Sequence, residues 1–415
     1  MHLTKHEEKM LSGGYGEGYQ RAMEVLVKLG EFYDAKRLIP VSWAYLAIGY
    51  NPRHPGKTYE WIKELAELGA TFKCPLTFAR LDPVSHSDYE LNKKLGAKFS
   101  YQGGWGHARH IFCLPVCGQH VIAGGTAVTH YVNSYMGARA NTECAIGQYA
   151  AAIVGKTPEY GFHLAENRVG KTLFDIKAEL KDETDWSALG YYISRTLSKH
   201  YWDVPVINGI RPEDVTNDEL VSLCSSIPSY GACVHSLLVG ISPEARTLDE
   251  AFGGKKPIEK FTVSEKEIKG VYDIFSTSNE KPDMVSIGGF GVNVSIEALY
   301  TLASLLEGKH VSKDFPTVVM LEGAVSTVAD RTGISDILKA AGVKLGLDEI
   351  LKERGIEVRE FQNNPVVSAK RMGWNTLVFM DTKSCHYIGQ QGIEPVLKNV
   401  EECAKISLTG NMEGR

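Results

Sequence analysis

The chain has 415 residues, a formal net charge of −5 and 43% hydrophobic residues, which are values typical of a soluble globular protein with more than one domain. The charge is mild and no Lys/Arg block stands out, so we expect no nucleic-acid partner. The charged segment Met1–Glu8 lacks a secretory apolar region, and no apolar run is long enough to cross a bilayer. Eight cysteines without an export signal are typical of reduced thiols. The sequence therefore predicts a cytoplasmic protein that does not bind membranes.

The first part of the chain alternates predicted helices and strands. Thr4 and Glu7 have the spacing of a capping box and predict a short helix that ends at Leu11. Apolar residues at helical spacing predict a longer helix over 17–32. Further helices are predicted over 58–68 and 88–95, and strands over 38–41 and 71–74.

The middle of the chain is less regular. Residues 121–168 are predicted to alternate glycine turns with a helix near 144–154. Strand-like segments occupy 191–193 and 204–207, and a helix is predicted over 217–225. Residues 247–269 are rich in charge and glycine, which indicates a surface connection between domains.

The last third shows the clearest alternation of strands and helices. Strands are predicted over 284–287, 317–321, 358–361 and 376–380, with helices over 295–306 and 324–341. This alternation is typical of a parallel, doubly wound sheet. We therefore predict an α/β protein with an N-terminal region over 1–280 and a Rossmann-like domain over 281–415.

Two stretches have the polar side chains expected of a binding site. Between 111 and 168, thiol, guanidinium, carboxamide, carboxylate and imidazole groups recur among many Gly and Ala residues. Small residues let the backbone approach a ligand closely, so this stretch predicts a polar pocket for a small anionic or hydroxylated molecule. A glycine-rich connector with solvated polar groups is the alternative.

The second stretch follows the last predicted strand. In open parallel sheets, ligands bind beyond the carboxyl ends of the strands. Lys383, Ser384, His386 and Tyr387 lie there within five residues and predict a functional cluster. In the alternative interpretation, Asp381 is a helix N-cap and His386 is a buried ring with satisfied hydrogen bonds.

Nucleotide and zinc motifs receive little support. The segment 288–291 is Gly-Gly-Phe-Gly and lacks both the GxGxxG spacing and the Lys of a P-loop. Cys113 and Cys117 have several histidines nearby and would share one face of a continuous helix. Pro115 and Gly118 argue against such a helix, so we do not predict a regular zinc site.

Several separated motifs, in the same order, resemble the aconitase X family, specifically the large subunit of its two-subunit form. They are the opening through Pro40, the Asn-Ser-x-x-Gly-Ala-Arg-x-Asn-x-Glu segment over 133–143, residues 157–168, and Lys383 with Cys385-His386-Tyr387. The resemblance covers nearly the whole chain. It implies an aconitase-like multidomain fold, hydro-lyase chemistry on a small hydroxy-carboxylate, and a small swivelling-domain subunit as partner.

The resemblance also implies an iron–sulfur cluster held by three cysteines. Cys113 matches the first ligand position, whereas Gly289 and Asn364 occupy the other two. Neither replacement supplies the thiolate that cluster iron requires. The sequence therefore predicts a cluster-free branch, with an unidentified cofactor or a single metal ion instead. A relocated cluster on Cys113, Cys117 and Cys144 is the alternative.

On this resemblance we predict two groups of site residues. The first would bind the substrate anion and consists of Asn133, Ser134, Arg139, Asn141, His163 and Asn167. The second would transfer protons and consists of Lys383, His386, Tyr387 and Ser368, with Glu143 as a further candidate base. Arg139 and His386 must then face one shared cavity. Because the ligand losses also suit a catalytically silent metabolite-binding or scaffold relative, that hypothesis remains the alternative.

Overall fold

The computed structural model describes residues 1–46, 56–78, 86–97, 115–197, 203–231, 233–276, 278, 280–289, 294–321, 323–356 and 365–412. Within these residues, one three-stranded and two four-stranded parallel sheets are surrounded by helices, and a short antiparallel pair adds to the first part of the chain. The predicted α/β class is therefore confirmed. The predicted strand over 358–361 and the positions of Cys113 and Asn364 lie outside the described residues.

The first region contains the three-stranded sheet in the order β3-β2-β4 and the antiparallel pair β1 and β5. Its elements are α1 Lys5–Leu11, α2 Glu17–Phe32, β1 Leu38–Pro40, β2 Trp43–Leu46, α3 Gly56–Glu67, β3 Leu76–Phe78, α4 His86–Lys94, β4 Val121–Ala123, α5 Thr126–Ser134, α6 Ala145–Val154 and β5 Lys156–Pro158. The capping box of α1 is confirmed, since Thr4 and Glu7 exchange reciprocal hydrogen bonds. The strand predicted over 71–74 is wrong, because pairing with β2 begins only at Leu76.

The second region contains a four-stranded parallel sheet in the order β8-β7-β6-β9. Its elements are β6 Thr172–Ile176, α7 Glu183–Leu197, β7 Pro205–Asn208, α8 Asn217–Ser226, β8 Leu237–Leu238, α9 Leu248–Ala251, β9 Glu259–Val263 and α10 Glu265–Ile274.

Two predictions in this region are wrong. Residues 191–193 lie inside α7, where Leu189, Ile193 and Leu197 are buried at intervals of four residues along one helical face. Residues 247–269 are not a connecting segment, because β9 is the edge strand that pairs with β6 and α10 packs against α7.

The third region contains a parallel sheet in the order β11-β10-β12-β13, which confirms the predicted parallel arrangement. Its elements are β10 Met284–Ile287, α11 Ile296–Leu306, β11 Thr317–Val319, α12 Gly323–Arg331, α13 Ile334–Ala340, α14 Asp348–Glu353, α15 Pro365–Met372, β12 Thr376–Phe379, α16 Thr382–Gly389, β13 Glu394–Leu397 and α17 Val400–Thr409. The single helix predicted over 324–341 is two helices, separated at Gly333, which has a φ of 79°.

The strands of this third sheet alternate between two hydrophobic cores. Val285 and Ile287 pack on one face with α11 and α17, whereas Met284 faces the other core with α15 and α16. The second core continues into α7 and α8 of the middle region, and α16 packs directly against α7. The chain therefore places α16, with its polar cluster, between the third sheet and the helices of the second region.

Candidate functional site

Arg168 is the centre of a buried hydrogen-bond network that joins the first two regions. Its Nε donates to both carboxylate oxygens of Glu244 at 2.9 Å. Its Nη1 donates to Asn133 Oδ1 at 3.1 Å and to the Phe162 carbonyl at 3.3 Å, and its Nη2 donates to the Asn133 carbonyl at 3.0 Å. We call Asn133, Phe162, Arg168 and Glu244 the Arg168 network. Every polar edge of the guanidinium is used, so this network fixes the local backbone.

The carboxamides of the first group of predicted residues also hold backbone. Asn133 Nδ2 donates to the carbonyls of Ala140 and Val234, both at 2.9 Å, and its Oδ1 also accepts the Ala140 N–H. Asn141 spans the chain between the Tyr160 carbonyl and the Phe162 N–H, at 3.0 and 2.8 Å. The buried carboxamide of Asn133 therefore has its donors and acceptors committed to the protein.

Two further predicted residues make local contacts of the same kind. Ser134 Oγ accepts the backbone N–H of Ser236 at 2.9 Å. Asn167, which is exposed, donates to the Gly161 carbonyl at 2.8 Å. The Ser134 contact joins two segments that are distant in sequence, and the Asn167 contact closes a local turn.

Arg139 and His163 lie together with His120, which the sequence argument had considered only as a metal ligand. Arg139 Nη1 donates to the His163 carbonyl at 3.2 Å, and the Nδ1 atoms of His163 and His120 are 3.1 Å apart. Burial, together with the neighbouring His120 and Arg168, lowers the pKa of His163 to about 3. Arg139 Nε and His163 Nε2 are buried without a hydrogen-bond partner in the described part of the chain. Arg139 Nε can therefore donate to an acceptor, and His163 Nε2 can do the same in the tautomer whose Nδ1 accepts from His120.

Glu143 is buried beside Tyr160, whose hydroxyl donates to Glu143 Oε1 at 3.0 Å. Burial raises the pKa of Glu143 to about 7, which the hydrogen bonds from Tyr160 and Thr157 partly oppose. The Tyr160 ring stacks on Tyr33 with ring centroids 4.1 Å apart. The carboxyl group is therefore held in place and near half-protonation at neutral pH.

The start of α16 is fixed by three buried hydroxyl groups. Thr382 Oγ1 lies 2.9 Å from Ser187 Oγ and 3.1 Å from Ser226 Oγ, which belong to α7 and α8. The Thr382 N–H also donates to Ser187 Oγ at 2.9 Å. Because both hydroxyls lie on other helices, α16 has a defined position relative to the second region.

Asp381 and Lys383 form a buried, oppositely charged pair at this helix start. Asp381 is the N-cap of α16, and its Oδ1 accepts the Ser384 N–H at 2.7 Å. Burial raises the pKa of Asp381 to about 6. Burial lowers the pKa of Lys383 to about 8, and the Asp381 charge opposes that shift. Together with Gly289 and Ser384, these residues make up what we call the Asp381 site.

The other predicted proton-transfer residues lie further along α16 or on its neighbour. His386 is half-buried, its Nε2 is 2.9 Å from Gln390 Nε2, and its ring contacts Tyr230 edge to face with centroids 4.6 Å apart. Burial, followed by the charge of Arg195, lowers the His386 pKa, and burial raises the pKa of Tyr387. Ser368 is buried on α15, which packs against α16.

The structure brings the predicted residues together as two groups. Arg139 contacts His163, whereas His386 contacts Tyr230, Tyr387 and Gln390. No contact between described residues links Arg139 to His386, so the shared cavity stays a prediction. Glu244 has no local sequence signal, because it lies 76 residues from Arg168, and it was not predicted. Asp381 was predicted only as a possible N-cap, a role that the structure confirms.

The iron–sulfur cluster implied by the family resemblance does not fit at position 289. A Cβ atom built on Gly289 would lie 1.9 Å from Ser384 Oγ, 2.8 Å from Asp381 Oδ2 and 2.9 Å from Ser384 Cβ. Real Cβ contacts do not occur below 3.0 Å. Among the described residues, no group of three or more His, Cys, Asp or Glu side chains could hold a metal ion. We therefore derive no chemical step through a cluster.

The helices of the described ranges are too short or too polar to cross a lipid bilayer.

Comparison with known proteins gives a consistent assignment. Residues 1–100 and 111–166 match the family model described as the aconitase X first domain, and residues 170–273 match the aconitase X second domain. The chain is 30% identical over 413 residues to the phosphomevalonate dehydratase large subunit of Thermococcus kodakarensis, which covers 98% of this chain and 99% of the relative.

Two other relatives extend the comparison. A cis-3-hydroxy-L-proline dehydratase of Pseudomonas aeruginosa is 22% identical, over 83% of this chain and 61% of its own length. A crystal structure described as Thermococcus kodakaraensis aconitase X in its holo-form superposes with a TM-score of 0.81 at 30% identity, over 98% of this chain and 100% of that chain. The similarity therefore includes the third region, which the two domain models do not cover.

Proposed function

The chain belongs to the aconitase X family of hydro-lyases, and on that basis we propose that it dehydrates a small hydroxy-carboxylate as the large subunit of a two-subunit enzyme. The observation that carries this proposal is the similarity to a dehydratase large subunit over 98% of the chain. A phosphorylated hydroxy-carboxylate such as 5-phosphomevalonate is the first substrate to test, because the relatives of 30% identity or more carry that name. A small swivelling-domain subunit is the expected partner.

Lys383 is our candidate for the acid that protonates the departing hydroxyl. Its burial lowers the pKa to about 8, so at neutral pH the ammonium is populated and gives up its proton readily. As the C–O bond breaks, the bonding electrons leave with oxygen, and the proton from Lys383 Nζ completes a water molecule. Tyr387 is a weaker candidate for this role, since burial raises its pKa.

His386 is our candidate for the base. Burial and the charge of Arg195 lower its pKa, which favours the neutral imidazole that can accept a proton. Lys383 and His386 are three residues apart on α16, a spacing that places two side chains on one side of a helix. His386 would remove the proton from the carbon next to the carboxylate, and the C–H electrons would form the double bond. Ser368 would orient substrate from α15.

Arg139 and His163 are our candidates for binding the substrate anion. Arg139 Nε and His163 Nε2 are buried without partners in the described residues, and an anion would accept from both when the His163 proton is on Nε2. Asn133, Ser134, Asn141 and Asn167 would act by shaping the backbone around these two residues, because they hydrogen-bond to main chain. Glu143 would remain a second candidate base.

We further propose a cluster-free, cytoplasmic enzyme whose third region, 281–415, is a separate Rossmann-like domain after the N-terminal region 1–280. Gly289 and Asn364 at two ligand positions support the absence of a cluster, and the crowding around Gly289 supports it independently. The separate sheet β11-β10-β12-β13 supports the domain division.

The test is dehydration of hydroxy-carboxylates by the purified chain combined with a small subunit of the family. We expect wild-type protein to form the alkene product and His386→Ala to lose turnover while retaining ligand binding in calorimetry. His310→Ala, which changes an exposed histidine on the surface of the third region, is the matched control. Binding without turnover by wild type would instead support a catalytically silent relative.

A further inference from the structure

Gly289 directly faces the start of α16. It follows β10, and α16 follows β12, the strand that pairs with β10 in parallel. The carboxyl ends of the two strands are therefore neighbours, and the residues that follow them meet. The nearest atoms to a Cβ on Gly289 would be Ser384 Oγ at 1.9 Å and Asp381 Oδ2 at 2.8 Å.

Glycine is required at 289 by space and not by backbone conformation. Gly288 has a φ of 80°, whereas Gly289 is absent from the residues with positive φ. An L-residue at 289 would consequently meet no backbone strain, and the obstacle is the volume taken by Ser384 and Asp381.

Ser384 cannot make room by rotating its hydroxyl. Its Cβ, which does not move on rotation, would lie 2.9 Å from a Cβ on Gly289. The Ser384 N–H is bound to Asp381 Oδ1, and Thr382 is bound to Ser187 and Ser226 on two other helices. Relief on this side would require the backbone at the start of α16 to shift.

We infer that Gly289 and Ser384 are a coupled pair, in which Ser384 and Asp381 fill the volume that a ligand side chain at position 289 would need. Restoring cysteines at 289 and 364 would therefore not restore a cluster. This inference deepens the cluster-free part of the proposed function, on which it rests, but its readouts are protein stability and iron content instead of turnover.

The first test is a double-mutant cycle measured by thermal unfolding of the full chain. We expect Gly289→Ala to lower Tm by several degrees, and the same change in a Ser384→Gly background to lower it much less, because both Ser384 atoms that obstruct the new Cβ are gone and only Asp381 Oδ2 remains close. Gly270→Ala is the matched control, since a Cβ there has no neighbour within 4 Å. Equal Tm losses in both backgrounds would overturn the coupling.

The second test restores the missing thiols. Gly289→Cys with Asn364→Cys, purified anaerobically and reconstituted with iron and sulfide, should gain neither acid-labile sulfide nor visible charge-transfer bands. Cluster uptake by this variant at the wild-type Tm would overturn the inference. Sulfide-bridged iron in the wild-type chain would overturn the cluster-free part of the proposed function, and the thermal cycle would still decide the coupling.

Discussion

The Arg168 network and the Asp381 site both contain a buried cation and carboxylate, yet the two pairs are built differently. In the network, Arg168 spreads its donors over Glu244, Asn133 and the Phe162 carbonyl. In the Asp381 site, burial raises the pKa of Asp381 to about 6 and lowers that of Lys383 to about 8. A guanidinium remains charged at any physiological pH, so Arg168 does not transfer protons, and its donors are occupied by protein acceptors.

The Asp381 site differs, because its two groups can gain or lose protons near neutral pH. Burial shifts the pKa of Asp381 up to about 6 and that of Lys383 down to about 8, on either side of neutrality. We therefore propose that the network fixes the first two regions and that the start of α16 supplies the acid.

The largest effect is expected from Lys383→Met, which removes the proposed acid but keeps an unbranched apolar stem. General acid catalysis contributes about 10²–10⁴-fold, so kcat should fall by that factor. The unfolding midpoint should change little, because the desolvated ammonium is removed and Asp381, whose pKa burial already raises, can take up a proton. Steady-state dehydration kinetics and thermal unfolding would measure both. Lys370→Met, at an exposed position on α15, is the control. If Lys383→Met retained wild-type kcat, the site would have no acid role.

For Arg168→Ala we expect the protein to lose stability, whereas the proposed proton-transfer residues are unchanged. Removing one partner leaves the carboxylate of Glu244 and the carboxamide of Asn133 without their donor. Because Glu244 keeps 27% side-chain exposure, we expect a cost near the lower limit for a broken buried pair, about 3 kcal/mol. Denaturant unfolding would measure it.

The control for that prediction is an exposed ion pair. Arg211→Ala removes a surface contact with Asp214 and should cost less than about 1 kcal/mol. Similar costs for the two arginines would show that burial of Arg168 contributes little.

Glu143 allows the first region to be tested by pH. Its pKa of about 7 in the folded protein is above the ordinary value of 4.5, so the folded state binds more protons between these values. Stability should therefore decrease as pH rises from about 4.5 to 7, by about 3 kcal/mol, and stay low above that range. In Glu143→Gln this pH dependence should largely disappear, because an amide does not titrate. The amide oxygen still accepts from Tyr160, so the local hydrogen bond is kept. Thermal unfolding at pH 5 and 8 would measure it, and an unchanged slope in Glu143→Gln would refute the assignment.

Much of the fold was predictable because the signal is local. Helical spacing predicted α2 with its bounds, and the apolar run at 284–287 predicted β10. The prediction failed where burial overrides propensity. Helix α5 is rich in β-branched residues and was not predicted, yet all residues from Ala127 to Ser134 are buried. Residues 191–193 were predicted as a strand because aromatic residues favour strands, but Ile193 is buried on one face of α7.

The candidate site was less predictable because its contacts join distant segments. Residue types near Arg139 and Lys383 indicated polar sites, but their partners were not visible. Nothing local connects Gly289 with Ser384, and the crowding between them appears only when β10 and β12 are placed side by side. The sequence showed that position 289 lacks a thiol, and only the packing shows why a thiol would not fit.

The smallest expected effect is also the most specific test of the Asp381 site. In Asp381→Asn the amide oxygen still accepts the Ser384 N–H, so the N-cap is kept while the charge beside Lys383 is lost. The Asp381 charge holds the Lys383 pKa up against burial, so without it that pKa falls below about 8. The ammonium then loses its proton at a lower pH, so the decline of kcat on the alkaline side of its pH profile should begin at a lower pH. At pH 7 we expect kcat to fall by less than about tenfold. Asp249→Asn on the exposed side of α9 is the control. A uniform drop in kcat with the limb in place would mean that Asp381 only caps the helix, and the comparison with the Arg168 network would then lose its basis.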